Sequence, residues 1–137
     1  MIVVDTNIIA YRWLNSARTT QAEALVAIDP DWACPVLWRS EFRNVLAGFI
    51  RARKLSEPEA GVMISRAFSC LLGGEHSVAD ASVLALVARS NCTAYDCEFV
   101  ALAQALGVLL VTDDRALLRE FPGDSRSLDD AVRRGVR

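Results

Sequence analysis

The sequence predicts an α/β fold in which helices sandwich a parallel sheet, and three observations carry that expectation. Ile2-Val3-Val4 and Val108-Leu109-Leu110-Val111 are runs without a polar residue, the pattern of strands buried on both faces. Between them lie stretches whose apolar residues recur at three and four residue spacing, as helices require. Strand and helix signals also alternate along the chain instead of clustering, which points to parallel strands joined by helical crossovers.

The 137 residues suit one domain spanning 1–137, and a chain of this size buries roughly 68% of its unfolded surface. A hydrophobic fraction of 53% against 23% charged residues excludes an intrinsically disordered chain.

The first strand, Ile2–Val4, leads into a short helix bearing Ile8, Ile9, Tyr11 and Trp13, with Thr6 or Asn7 as its expected cap. A second helix is expected from Thr19 to Ile28, with Ala22, Leu25 and Val26 inward and Asp29-Pro30-Asp31 ending it. Trp32-Ala33-Cys34 reads as a brief strand closed by Pro35. From Leu37 the pattern turns helical, with Phe42, Val45, Leu46, Phe49 and Ile50 forming the apolar stripe and Glu41 at its border. Glu57 to Leu72 repeats that spacing and stops at Gly73-Gly74.

Glu75 to Val78 is a weaker strand signal. Helices follow from Ala79 to Arg89 and from Asp96 to Leu106, the latter ended by Gly107. Val108 to Thr112 is the second clear buried strand, Asp113 to Leu118 a short helix, and Arg126-Ser127-Leu128 an edge strand. Arg133, Arg134 and Arg137 read as a frayed tail.

Several classes of protein are disfavoured by composition. The N-terminus carries no basic and apolar leader, and no stretch approaches the ~18 apolar residues of a membrane span. Cys34, Cys70, Cys92 and Cys97 form no Cys-x-x-Cys pair, and the single His76 is remote from them, so free thiols in a reducing cytoplasm are expected. The net charge of −2 argues against a uniformly basic nucleic-acid coat. The balance is uneven, because residues 1–54 carry seven Lys/Arg against five Asp/Glu and residues 55–137 carry eight against twelve. A basic rim around an acidic centre fits that distribution.

Four carboxylates stand where the predicted elements carry them towards one edge of the sheet. Asp5 and Asp114 follow the two clearest strands, and ligands of open parallel sheets gather at the carboxyl ends of strands. Glu41 and Asp96 project from helices. Taken singly, Asp5 and Asp96 read equally well as helix caps, and Asp114 reads first as a turn or cap residue. Glu41 is harder to dismiss, since a carboxylate beside an apolar stripe needs a partner.

Converging acids demand a counter-charge. Two unit charges ~4 Å apart repel by about 4 kcal/mol at an effective dielectric of 20. Protons or a cation must offset this. Oxygen-only ligands suit Mg²⁺ or Mn²⁺, and such a centre activates water and stabilises a phosphoryl transition state, the chemistry of a metal-dependent nuclease. Arg12, Arg39, Arg43 and Arg115 lie near the acids in sequence and are candidates to hold flanking phosphates of a nucleic acid.

The same residues carry a resemblance. Val3-Val4-Asp5-Thr6-Asn7, Trp38-Arg39-Ser40-Glu41-Phe42-Arg43-Asn44-Val45-Leu46, the stretch from Ala94-Tyr95-Asp96 to Ala103, and Val111-Thr112-Asp113-Asp114-Arg115 are similar, in that order, to the acidic motifs of PIN-domain nucleases. The third is the most specific. The match runs from about Ile2 to Leu118 and is most similar to the small VapC-type toxins of bacterial toxin–antitoxin pairs.

The resemblance implies a three-layer α/β/α sandwich around a central, mostly parallel sheet of about five short strands. It also implies Mg²⁺- or Mn²⁺-dependent endoribonuclease activity. Asp5 and Asp96 would be the most direct metal ligands, with Glu41 and Asp114 completing the acidic cluster and Thr6, Asn7 and Thr112 holding acids and water. Asp114 is preferred to Asp113 because the family pattern is Thr-x-Asp-Arg. A homodimer and a VapB-like antitoxin whose C-terminal segment covers the groove are implied as partners. Glu98 lies two residues beyond Asp96, about 200° around a helix, and is expected at most beside the substrate.

The competing reading is a catalytically degenerate PIN-like module that binds antitoxin or RNA without cleavage, and the presence of all four acids counts against it. An aspartyl-phosphate phosphatase would carry a second acid at position 7, which is Asn7, and a receiver domain a lysine after a late strand, whereas the only lysine is Lys54. No Gly-x-x-x-x-Gly-Lys-Ser/Thr phosphate loop occurs.

Overall fold

A computed structural model describes all residues, 1–137. The elements run β1 (Ile2–Val4), α1 (Thr6–Trp13), α2 (Thr19–Ile28), β2 (Trp32–Pro35), α3 (Trp38–Arg51), α4 (Glu57–Cys70) and β3 (Glu75–His76). They continue as α5 (Asp80–Ala88), α6 (Ala94–Leu106), β4 (Leu110–Val111), α7 (Arg115–Glu120), β5 (Ser125–Arg126) and α8 (Leu128–Arg134).

The five strands form one sheet in the order β3-β2-β1-β4-β5, and every neighbouring pair is parallel. β1 is central because Ile2, Val3 and Val4 are fully buried and have no face to give to water. Its register sets Val3 opposite Ala33 on one side and Leu110 on the other. Helices flank the sheet. α6 packs across β1, β2 and β4 and is itself covered by α5, while α1 packs on α2, α3 and α4, and α8 on α2. Trp38, Phe42 and Phe99 are the bulkiest fully buried side chains, so α3 and α6 supply the large pieces of an otherwise aliphatic core.

Two glycines are required by geometry. A Cβ on Gly74 would sit 2.2 Å from the Trp32 carbonyl oxygen, so only glycine lets the turn before β3 close against β2, where the Cys34 N–H donates to the Gly74 carbonyl. Gly107 ends α6 with φ 66°, the left-handed cap expected there.

The α/β expectation and the parallel sheet are borne out, with corrections at element ends. Asp5 caps α1, not Thr6 or Asn7, and its carboxylate accepts from the Thr6 N–H. α6 begins at Ala94 under a Thr93 cap, so Asp96 lies within its first turn instead of opening it. α4 ends at Cys70, not Leu72. The last strand is Ser125–Arg126, because the Ser127 hydroxyl accepts from the Asp130 N–H and starts a helix at Leu128. Arg133 and Arg134 therefore belong to α8, pairing with Asp130 at its exposed face, and are not a frayed tail. No helix is long and apolar enough to cross a membrane. All four cysteines are free; Cys34, Cys92 and Cys97 are buried and Cys70 is exposed.

Candidate active site

Strand order decides where the acids meet. The chain builds outward from β1 through β2 and β3, then crosses to the other side for β4 and β5, so the switch point lies between β1 and β4. Asp5 follows β1, and its backbone N–H donates to the Val111 carbonyl at 3.0 Å, extending the pairing just beyond the strand. Thr112 and Asp114 follow β4 next door. A cavity of ≈ 370 Å³ opens at this edge, lined by Asp5, Glu41, Asp96 and Asp114 together with Thr6 and Asn7.

Hydrogen bonds from the protein hold three of the acids, Asp5, Glu41 and Asp114. Asp5 is only 8% exposed; its Oδ1 accepts from the Thr6 N–H at 2.7 Å and its Oδ2 from the Thr112 hydroxyl at 2.7 Å. The Thr112 oxygen also accepts from the Asp114 N–H at 3.0 Å, so one fully buried hydroxyl ties together two acidic positions 109 residues apart in their numbering. The Thr6 hydroxyl donates to Glu41 Oε1 at 2.8 Å, linking α1 to α3. Asp114 caps α7 through the Leu117 N–H at 2.9 Å. Capping and site-building are thus performed by the same carboxylates at Asp5 and Asp114.

Asp96 is different. Thr93 supplies the cap of α6 by accepting from the Asp96 N–H at 3.1 Å, so Asp96 is the third residue of the helix and not its cap.

The electrostatics match the geometry. Burial is the main force raising the Asp5 carboxyl to about 6; the Thr112 and Thr6 hydrogen bonds oppose it, while Asp96 and Asp114 add repulsion. Asp96 is raised by burial and then by Asp114. Glu41 is raised by burial and by Asp5, Asp96 and Glu98, against the pull of the Thr6 hydroxyl. The acids therefore share one field and resist carrying all their negative charges together.

An all-oxygen donor set with mutual repulsion fits a hard divalent cation. No group of three or more His, Cys, Asp or Glu side chains is already arranged to hold an ion, while one oxygen each of Glu41 and Asp114 and both of Asp5 accept hydrogen bonds from the protein.

The adjacent aspartates separate cleanly. Asp113 turns away from the cavity, its Oδ2 accepting from Arg18 at 2.7 Å and its Oδ1 from the Leu128 N–H at 3.0 Å, so it joins α2 to α8. The four arginines also divide. Arg39 makes a two-point pair with Glu75 at 2.6 and 2.5 Å and lies 4.3 Å over the Phe68 ring. Arg12 lies over Trp13 and Trp32, 3.6 Å from Glu23. Both are committed within the protein and neither lines the cavity. Arg43 donates to Ser40, a cavity-lining residue, at 3.1 Å, and Arg115 is exposed at the start of α7.

Ser40, Asn44 and Tyr95 also line the cavity and were not singled out from the sequence. Ser40 and Asn44 stand one helical turn apart beside Glu41, so the i, i+4 spacing was the signal available for them. Tyr95 is 63% exposed and stands next to the half-buried Asp96.

Comparison with known proteins assigns the family. The PIN domain family model matches residues 2–122. The chain belongs to the PIN-domain family. This PIN domain is 32% identical over 124 residues to Ribonuclease VapC3 of Pyrobaculum aerophilum, a match covering 88% of the chain and 95% of that relative. Its fold is similar to the crystal structure of PAE2754 from Pyrobaculum aerophilum, with a TM-score of 0.77 and 19% identity across 97% of this chain and 94% of that one. It is similar also to FitAcB from Neisseria gonorrhoeae, with a TM-score of 0.70 and 18% identity across 93% and 96%. Those two likenesses bear on fold, and they agree with the α/β sandwich around a parallel sheet.

Proposed function

We propose that this PIN domain is a Mg²⁺- or Mn²⁺-dependent endoribonuclease that hydrolyses RNA phosphodiester bonds at the acidic cavity, and that it serves as the toxin of a toxin–antitoxin pair. The observation that carries the chemistry is the convergence of Asp5, Glu41, Asp96 and Asp114 on one cavity at the sheet's switch point. The identity to Ribonuclease VapC3 supports RNA as the substrate; a VapB-like antitoxin and a homodimer are the partners proposed with it.

Asp5 and Asp96 would hold the cation most directly, with Glu41 and Asp114 completing its surroundings. Bound there, the cation supplies a water of lowered pKa and positive charge for the phosphoryl oxygens. The protein's own contribution is positioning. Thr112 fixes Asp5 and the start of α7, and Thr6 fixes Glu41, so neither carboxylate has to reorganise as charge develops. Glu41, anchored on α3 by the Thr6 hydroxyl, would accept a proton from the attacking water. Asn7 offers an amide donor at the cavity mouth for a phosphoryl oxygen.

Purified protein incubated with structured RNAs, with Mg²⁺ or Mn²⁺ and with chelator, tests the reading. Cation-dependent fragments with 5′-phosphate and 3′-hydroxyl ends are expected, and they should vanish in the Asp5→Asn/Asp96→Asn double variant. Equal cleavage by the variant sinks the proposed chemistry. The rival reading is a PIN-like module that binds antitoxin or RNA without cleaving it. Mn²⁺ titration separates them, since a cutting enzyme must bind the ion through Asp5 and Asp96.

A further inference from the structure

Beyond the acids, a second groove of ≈ 580 Å³ runs between α5 and α6, within the range of small-ligand sites. Its apolar wall is formed by Val36, Leu84 and Tyr95, which are 50%, 62% and 63% exposed. Three large apolar side chains exposed in one groove form a patch that isolated surface residues do not. Tyr95 lines this groove and the acidic cavity alike, so the two adjoin at one aromatic ring. The polar rim is acidic, made by Asp80 and Glu98.

We propose that this groove is the subsite for an unpaired nucleobase flanking the scissile phosphate, with Tyr95 as its stacking platform; the proposal rests on the reading of the acidic cavity as a ribonuclease centre. The chemistry of the groove selects a base over a phosphate. Asp80 and Glu98 repel the RNA backbone, whereas carboxylate oxygens accept from the exocyclic amines of adenine, guanine and cytosine. The exposed faces of Tyr95 and Leu84 supply stacking and apolar area that every base can use. Recognition of RNA through splayed, unstacked bases also fits a cavity too acidic to hold backbone without a cation.

Binding is measured without cleavage, in the Asp5→Asn/Asp96→Asn background with chelator, using short single-stranded RNAs in which 2-aminopurine is stepped through the sequence. Quenching at one position is expected. Tyr95→Ala should abolish it and raise the dissociation constant by about 5- to 150-fold, the span reported by aromatic truncation at stacked bases. Tyr95→Phe keeps the ring face and should retain both. In the cleavage-competent protein, an abasic nucleotide at the quenched position should raise KM by the same factor as Tyr95→Ala, and the two changes together should cost no more than either alone. Independent, additive losses overturn the proposal, as does quenching that survives Tyr95→Ala. A Tyr95→Ala variant with altered oligomeric state and unaltered RNA binding overturns it too, assigning the groove to a protein. Loss of cleavage with Tyr95-dependent quenching intact refutes the nuclease reading alone.

Discussion

Thr112 donates its hydroxyl to Asp5 Oδ2 at 2.7 Å while the same oxygen accepts the Asp114 N–H at 3.0 Å. The hydroxyl is fully buried, so neither partner has water as a substitute. Thr112→Val should cost about 1–3 kcal/mol of stability, the scale of leaving buried groups unsatisfied. It should also weaken Mn²⁺ binding, because Asp5 loses the contact that orients it. Thr112→Ser should restore most of both. Chemical denaturation and Mn²⁺ titration of the pair check this; a Val variant with wild-type affinity would show that Asp5 is oriented by other means.

The Asp5 carboxyl, raised to about 6, gives the cation-free protein an unusual pH response. A carboxyl whose pKa is higher folded than unfolded stabilises the fold at low pH, and that contribution is lost as pH rises from the unfolded value near 4 through about 6. Melting temperature in chelator should therefore fall across that window for the wild type relative to Asp5→Asn. Added Mn²⁺ should raise it at pH 7.5 and much less at pH 5, where protons compete for the same oxygens. A wild-type-minus-variant difference that stays flat from pH 4 to 7 would contradict the raised carboxyl.

Arg43 and Arg39 should behave differently although four residues separate them. Arg43 is exposed and hydrogen-bonds Ser40 at the cavity lining, so Arg43→Ala should weaken RNA binding uniformly across sequences and lower the salt slope by about 1. Arg39 is paired with Glu75, which also accepts from the Trp38 indole at 2.8 Å. Arg39→Ala should lower the melting temperature and leave the salt slope unchanged. Filter binding across a salt series, alongside thermal melts, distinguishes the two; the reverse pattern would reassign them.

Gly74 and Gly48 make a paired test of the scaffold. Gly74→Ala drives a methyl against the Trp32 carbonyl and should destabilise strongly, by about 2 kcal/mol or more, because backbone cannot yield as a flexible side chain does. Gly48 lies within α3 with open space around its Cβ, so Gly48→Ala should stabilise by about 0.5–1 kcal/mol. Urea denaturation of both checks the contrast, and a tolerated Gly74→Ala would mean that the β2–β3 edge can shift.

Much of the architecture was legible in the chain. Unbroken apolar runs such as Ile2–Val4 report burial on both faces, and the Phe42, Leu46 periodicity reports a helix with one inner face, because both are consequences of local geometry. Element ends were less legible. Thr93 and Asp96 both suit a cap, as do Asp5 and Thr6, and which hydroxyl or carboxylate meets the free N–H depends on backbone angles that neighbouring elements impose.

That four acids stand in recognisable motifs could be read from the sequence, since a carboxylate and the residues around it are local properties. Their approach to one sheet edge was expected as well, but not the cavity they line there. That depends on the crossing from β1 to β4 at the sheet's centre, a long-range event with no periodicity of its own. Tertiary structure also turned Asp113 to Arg18 and Leu128, committed Arg39 to Glu75, and placed Tyr95 between two cavities. Each outcome is a choice of partner, and partners distant in sequence are selected only when packing has closed the space between them.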